Sequence, residues 1–196
     1  MTKNIILCGV GGQGTVLASR LISAAAMDRG WPVMSAETIG MAQRGGSVFS
    51  HLRIGEEVHC PMIARGEADL ILGFEPGEAV RMLPWLKPGG TVVTSDRGVT
   101  PVTVSLTGAV YDPAVMVEYL RKKVDRLFVL DAEKALREVG SPKVLNLILL
   151  GAAIRTGALG ITGEELETAM KRLIPEKFLK LNQKALKWAG KDEKES

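Results

Sequence analysis

Residues 4–29 read NIILCGVGGQGTVLASRLISAAAMDR, and the fold turns on how this stretch divides. Asn4–Cys8 is a short apolar run that ends in glycine, the pattern of a buried strand. From Thr15 to Arg29 the period changes to that of a helix, with Val16, Leu17, Leu21, Ile22 and Ala25 expected on one face. Gly30 and Pro32 close the helix, as glycine at a helix end and proline just beyond it do. Between strand and helix lies Gly9-Val10-Gly11-Gly12-Gln13-Gly14, a match to G-x-G-x-x-G in the context that gives the motif meaning. Glycine permits positive φ and close backbone approach, and a helix N-terminus offers unpaired N–H groups to an anion.

Working outward, strands and helices alternate. Pro32–Ala36 is a candidate second strand. Ser47–Ile54 alternates, with Val48, Ser50, Leu52 and Ile54 on one side and Phe49, His51 and Arg53 on the other. Gly55-Glu56 looks like a tight turn into Glu57–Cys60, which predicts a β-hairpin. Asp69–Phe74 is a continuous apolar strand, Glu78–Leu86 a short helix, residues 87–90 (KPGG) a turn, and Thr91–Ser95 a strand. Pro101–Ser105 suits an edge strand because its proline fits poorly in a central one. Pro113–Lys123 is an amphipathic helix, Leu127–Leu130 a strand and Ala132–Val139 a helix.

From Pro142 the chain turns helical. Val144–Thr156 is apolar on nearly all sides, which implies burial within the domain or by a partner and favours association. Thr162 is placed to cap a helix at Glu164–Leu173, with Glu165 at the reciprocal position. Phe178–Trp188 carries the last apolar stripe. Together these elements predict an α/β, Rossmann-like, doubly wound and mainly parallel sheet with a β-hairpin insertion and a helical C-terminal segment. Residues 1–190 form one domain in this reading, and 191–196 a charged tail.

The composition narrows function by exclusion. Of 196 residues, 46% are apolar and 5% aromatic, with 22 glycines, as suits a packed α/β domain rather than a disordered chain. The net charge of +3 comes from 25 basic and 22 acidic residues mixed along the chain, without the basic, aromatic-interleaved stripe of a nucleic-acid binder. The longest strongly apolar run, Val144–Ile154, falls well short of the roughly 20 residues a bilayer helix needs. No membrane contact and no nucleic acid are expected. Without a signal-peptide pattern, the cytoplasm is the expected compartment. Cys8 and Cys60 are too few for an iron–sulfur centre, which takes four ligands per cluster. Cys8, inside the first strand, reads as core filler.

The two glycine clusters carry the chemistry, and each has two readings. A dinucleotide site needs an acid about twenty positions after the first loop, at the end of the second strand, to bind the ribose. Glu37 is roughly there, but its strand is short and interrupted by Ser35, and Gln13 brings a polar side chain into the tight turn. The first loop therefore either binds a dinucleotide or only shapes a turn. In the second cluster, Gln43-Arg44-Gly45-Gly46, a planar guanidinium beside two glycines suits a phosphate or carboxylate; the alternative is a surface turn with a salt bridge. Glu75, Asp96 and Asp131 each end a strand at the edge where α/β ligands bind, and Asp96 and Asp131 are expected to be helix caps or turn formers. His51, His59 and Cys60 lack a fourth metal ligand and are expected in packing or surface roles. No nucleophile elbow, P-loop lysine or H-E-x-x-H is present. No catalytic residue is assigned to this chain.

In order and spacing, GVGGQG at 9–14, GMAQRGGSV at 40–48, EADLILGFEPGEAVRMLPWLKPGGTVV at 67–93 and NLILLGAAIRTGALGITGEELETAM at 146–170 resemble the gamma-type domain of the 2-oxoacid:ferredoxin oxidoreductases. The resemblance covers nearly the whole chain. Many members carry Y-G-x-E-x-R-G-G, whereas residues 40–46 here read GMAQRGG, which points away from pyruvate and 2-oxoglutarate enzymes. The QRGGSV…HLRIG spelling looks most like the beta, or small, subunits of the indolepyruvate type. The resemblance implies thiamine- and coenzyme A-dependent oxidative decarboxylation of a 2-oxoacid, with ferredoxin as electron acceptor. It places thiamine diphosphate, Mg and the [4Fe–4S] clusters on a larger alpha subunit, so that this chain alone binds none of them. On that basis Gly11, Gly12, Gln13 and Gly14, with Gln43, Arg44, Gly45 and Gly46, are expected to lie together at the carboxyl edge of the sheet. There they would meet the partner or a coenzyme A phosphate. The competing expectation is a stand-alone dinucleotide-binding dehydrogenase or sensor, with Glu37 as its ribose acid.

Overall fold

The computed structural model describes residues 2–37, 45–100 and 110–188. Among the described residues, six strands form one sheet: β1 (Thr2–Val10), β2 (Val33–Glu37), β3 (Ser47–Gly55), β4 (Ala68–Gly73), β5 (Leu86–Ser95) and β6 (Arg126–Leu130). Their spatial order is β2-β3-β1-β4-β5-β6. The pairs β1–β4, β4–β5 and β5–β6 are parallel, and β3 runs antiparallel to both β1 and β2. The helices are α1 (Thr15–Asp28), α2 (Pro76–Met82), α3 (Pro113–Lys123), α4 (Ala132–Val139), α5 (Leu145–Arg155), α6 (Gly163–Leu173) and α7 (Glu176–Trp188). The expected edge strand Pro101–Ser105, the charged tail 191–196, and Gln43 and Arg44 lie outside the described residues.

The strands alternate between two cores, as side chains on a pleated sheet must. Ile5 and Leu7 of β1, Leu70 and Leu72 of β4 and Val93 of β5 face one side, where α1 and α4–α7 pack. Ile6 and Cys8, Ile71 and Val92 face the other, against α2 and α3. Both faces are covered, which makes the sheet doubly wound.

Three local expectations are corrected. Glu57–Cys60 is not the second arm of a hairpin. β3 already pairs with β1 on one side, through Thr2↔Gly55, and with β2 on the other, through Val33↔Ile54. No edge is left for a returning strand, and residues 57–60 leave the sheet. The antiparallel partner that follows β2 in sequence is β3 itself. The 87–90 turn is instead a bulge inside β5: Ala68 pairs with Leu86 and Leu70 with Thr91, so Asp69 alone faces those four residues. Gly89, at φ 69°, supplies the conformation the bulge needs, and Lys87 pairs with Asp69 across it. On α1 the buried face is Ala18, Leu21, Ile22 and Ala25, while Val16, two residues before Ala18 and so about 200° around the helix from it, is 42% exposed.

The apolar helix α5 is buried by its own domain. Asn146 and Leu147–Ala153 are enclosed among α1, α4, α7 and β5. Of the two expected alternatives, burial within the domain is the one found, so its hydrophobicity no longer argues for association. The predicted capping box of α6 is present: Thr162 Oγ1 accepts from Glu165 N–H, and the Glu165 carboxylate accepts from Thr162 N–H at 2.8 Å.

Candidate functional site

The two glycine loops meet. β1 ends at Val10 opposite Ser47, where β3 begins, so the chain leaving β1 and the chain entering β3 emerge side by side at the carboxyl edge of β1. Gly11 N–H donates to the Gly46 carbonyl at 2.9 Å, and Gly45 N–H donates to the Gly11 carbonyl at 3.4 Å. Gly45 holds φ 77°, where a side chain would be strained. The expected juxtaposition of Gly11–Gly14 with Gly45 and Gly46 is thus a two-rung backbone ladder.

Gln13 decides what the first loop can hold. Its side chain turns into the loop: Oε1 accepts from Val10 N–H at 2.7 Å, and Nε2 donates to the Phe74 carbonyl at 3.1 Å. A Cβ at Gly9 would stand 2.7 Å from that Oε1 and 3.0 Å from Phe74 Cβ, so a side chain there would have to displace the glutamine. Gln13 N–H is engaged by the Val10 carbonyl and Gly11 N–H by Gly46. Two of the amides expected to face a ligand are therefore engaged within the protein. Gly14 caps α1 at φ 85°, and a Cβ there would fall 2.5 Å from Asn146 Nδ2, the buried amide of α5 that donates to the Gly14 carbonyl. Gly12 is the exposed tip, with no atom near its absent side chain.

Glu37 is not where a ribose acid would be needed. In a dinucleotide fold the second strand lies beside the first, about 5 Å away, which brings the acid at its end to the glycine loop. Here β3 intervenes and Glu37 pairs with Ser50, two strand spacings from β1, roughly 10 Å.

The strand-end acids divide by burial. Asp131 caps α4, accepting from Lys134 N–H at 2.8 Å, and Asp96 accepts from Ala132 N–H at 2.9 Å; both are exposed and serve as the caps expected of them. They border an open cleft of about 550 Å³ that Val117, Glu118 and Arg121 of α3 also line. Glu75 differs: it is 2% exposed, caps α2 by accepting from Glu78 N–H at 2.9 Å, and accepts from Tyr111 Oη. Burial, and the bond to Glu75, push the Tyr111 phenol far above its ordinary pKa. Glu78, 5% exposed, accepts from Ser47 Oγ at 2.5 Å. Nothing in the sequence singled out Glu78, because an acid in a first helical turn is commonplace.

His51 is buried, its Nδ1 accepting from Ile63 N–H at 3.1 Å, while His59 and Cys60 are exposed. No grouping of three or more metal-ligating side chains occurs among the described residues. Burial, followed by the nearby Glu78 and Glu75 carboxylates, pushes the Cys8 thiol well up, so it stays a protonated core side chain. No helix among the described residues is long and apolar enough to cross a membrane.

Known proteins are similar to this chain in sequence and in fold. The family model described as pyruvate ferredoxin/flavodoxin oxidoreductase matches residues 4–191. The chain is 37% identical to the indolepyruvate oxidoreductase subunit IorB of Thermococcus kodakarensis, over 98% of this chain and 96% of that protein. Identity and coverage are the same for the subunit of that name from Pyrococcus horikoshii. Among solved structures, the gamma subunit of a keto/oxoacid ferredoxin oxidoreductase from Geobacter sulfurreducens matches with a TM-score of 0.67 at 23% identity, covering 95% of each chain. The 2-oxoglutarate:ferredoxin oxidoreductase of Magnetococcus marinus matches with a TM-score of 0.71 at 19% identity; 96% of this chain aligns with 30% of that one. The chain belongs to the pyruvate ferredoxin/flavodoxin oxidoreductase family, as a small, gamma-type subunit of a 2-oxoacid:ferredoxin oxidoreductase.

Proposed function

We propose that this subunit serves an enzyme acting on indolepyruvate or a related arylpyruvate, and that its paired glycine loops face the larger alpha subunit or a coenzyme A phosphate. The observation that carries this reading is the loop pair itself. Gln13 fills the interior of the first loop, and Glu37 stands two strands away from it. What remains outward is a backbone surface around Gly12, Gly45 and Gly46, which Gln43 and Arg44 precede in sequence.

The reactive groups belong on the larger subunit. A [4Fe–4S] cluster takes four cysteine thiolates, whereas Cys8 is enclosed in β1 and Cys60 is exposed and apart from it. Thiamine diphosphate with Mg supplies the decarboxylation chemistry when bound there. Clusters bound there would supply electron transfer to ferredoxin, with coenzyme A as the co-substrate. This chain contributes no catalytic group: it presents a rigid surface that closes the assembly, in the cytoplasm.

Reconstitution tests the reading. The chain alone is expected to turn over no 2-oxoacid. Mixed with its large subunit, it should support coenzyme A-dependent reduction of ferredoxin by arylpyruvates. Arg44→Ala should weaken assembly or raise the apparent KM for coenzyme A while the thermal melt of the chain alone is unchanged. Wild-type activity and assembly in that variant would remove Arg44 from the interface.

A further inference from the structure

Two carboxylates are buried beside the loop pair in positions that helix capping alone does not explain. Asp112 and Asp131 cap α3 and α4 from exposed positions, the inexpensive way to satisfy a first-turn N–H. Glu75 and Glu78 flank the start of α2 at 2% and 5% exposure, and removing a carboxylate from water costs several kcal/mol unless the group is bonded. Arg81 stands 3.4 Å from Glu78, with its own side chain 64% exposed. What answers the two carboxylates is a chain of hydrogen bonds leading to the loops. Tyr111 Oη donates to Glu75, Glu75 accepts from Glu78 N–H, and Glu78 Oε2 accepts from Ser47 Oγ. Ser47 directly follows Gly46, whose carbonyl receives Gly11 N–H. Gly77 leaves room for this packing, since a Cβ there would lie 2.9 Å from Tyr111 Oη and 3.1 Å from Glu75 Oε2.

We infer that Glu78 is the positioning residue of the loop pair: through Ser47 it fixes where Gly45 and Gly46 stand against Gly11, and so pre-forms the surface offered to the larger subunit. Among the described residues, two backbone hydrogen bonds join Gly45 and Gly46 to Gly11, one of them 3.4 Å long. A charge-assisted bond from a carboxylate that cannot move is the stronger restraint. Pre-forming a loop removes an ordering cost from association, which appears as affinity. This last consequence rests on the reading of the loops as an interface; the positioning itself does not.

The test uses the full chain with Ser47→Ala, Glu78→Ala and Glu78→Gln. Hydrogen exchange is followed over residues 9–14 and 45–48, with β4 and β5 as internal controls, and affinity for the large subunit is measured alongside. Losing one charge-assisted bond should speed exchange in both loops about tenfold in Ser47→Ala and Glu78→Ala, leave the controls unchanged, and weaken association by a similar factor. Glu78→Gln, whose amide oxygen still accepts from Ser47, should restore most of the protection. Unchanged loop exchange in Ser47→Ala, or acceleration spread evenly over the controls, would overturn the inference. Should Glu78→Ala fail to fold, Ser47→Ala decides alone, because it removes only a hydroxyl. Loosened loops with unchanged association would support the positioning role and overturn the interface reading instead.

Discussion

Glu75 and Asp131 occupy equivalent places, each following a parallel strand and capping the next helix, yet their surroundings have little in common. Asp131 stands in water beside an open cleft and caps α4. Glu75 is enclosed, tied to Tyr111, and one step from the bond that holds the second glycine loop. The difference follows from topology. On the β5–β6 side, a strand leads to a helix and the edge stays open. On the β3–β1–β4 side, an antiparallel strand is inserted where a dinucleotide fold keeps its second parallel strand. Gly45 and Gly46, just ahead of that strand, are hydrogen-bonded to Gly11 of the first glycine loop. A frame built like a nucleotide site has been closed by its own backbone.

That contrast can be broken at the glycines. Gly14 and Gly140 both sit at helix ends with positive φ, 85° and 92°, but a Cβ meets Asn146 at the first and open space at the second. Gly14→Ala should lose about 2–4 kcal/mol, combining left-handed strain with overpacking, and Gly140→Ala about 1–2 kcal/mol from strain alone. In a chain of this size each kcal/mol lowers Tm by about 2–4 °C, so thermal melting separates them. Equal shifts would show that the closed side is no more tightly packed than the open one.

The two acids sharpen it next. Asp131→Ala should cost about 1 kcal/mol, the ordinary loss of a cap. Glu75→Ala should cost about 2–3 kcal/mol, because the Glu78 N–H and the Tyr111 hydroxyl lose their charged acceptor together. Denaturant melts at pH 7 measure both.

The smallest effects come from pH. His51 on β3 has its imidazole pKa held below the usual 6.5 by burial, and its Nδ1 must stay unprotonated to accept from Ile63. A depressed histidine stabilises the fold fully above about pH 6.5 and loses that contribution as pH falls toward the folded value. Glu165, held at about 2 by the Arg29 guanidinium and its cap bonds, contributes above its ordinary 4.5 and fades only as pH falls toward 2. Melts from pH 8 to 3 should thus show one loss beginning near pH 6.5, absent in His51→Gln, and a second below pH 4.5, absent in Glu165→Gln. The first is tied to the inserted strand and the second to the helical segment.

Much of this was legible in the chain. The first strand, α1, the Thr162–Glu165 box and the bounds of α3 and α4 follow from period and capping residues, which are local signals. The alternation of residues 47–54 gave the right strand and the wrong partner. Gly55-Glu56 is a turn signal, whereas the edges of β3 are filled by β1 and β2, and pairing at that distance leaves no mark in a short window. The 87–90 stretch was turn chemistry in truth, absorbed into a bulge because β5 continues past it. Of the two glycine clusters expected to lie together, Gly45 and Gly46 do meet Gly11, while Gln43 and Arg44 lie outside the described residues. The inward turn of Gln13 was hidden, since a glutamine in a loop reads equally as surface. So were the burials of Glu75 and Glu78, which look like any acids at a helix start until Tyr111 and Ser47 are brought against them.

One measurement bears on the closed frame most directly: hydrogen exchange across residues 9–14 and 45–48, recorded for the chain alone, with its large subunit, and with saturating NADH. The large subunit should protect both loops and NADH should protect neither. Protection by NADH with none from the large subunit would contradict the interface and restore a dinucleotide site.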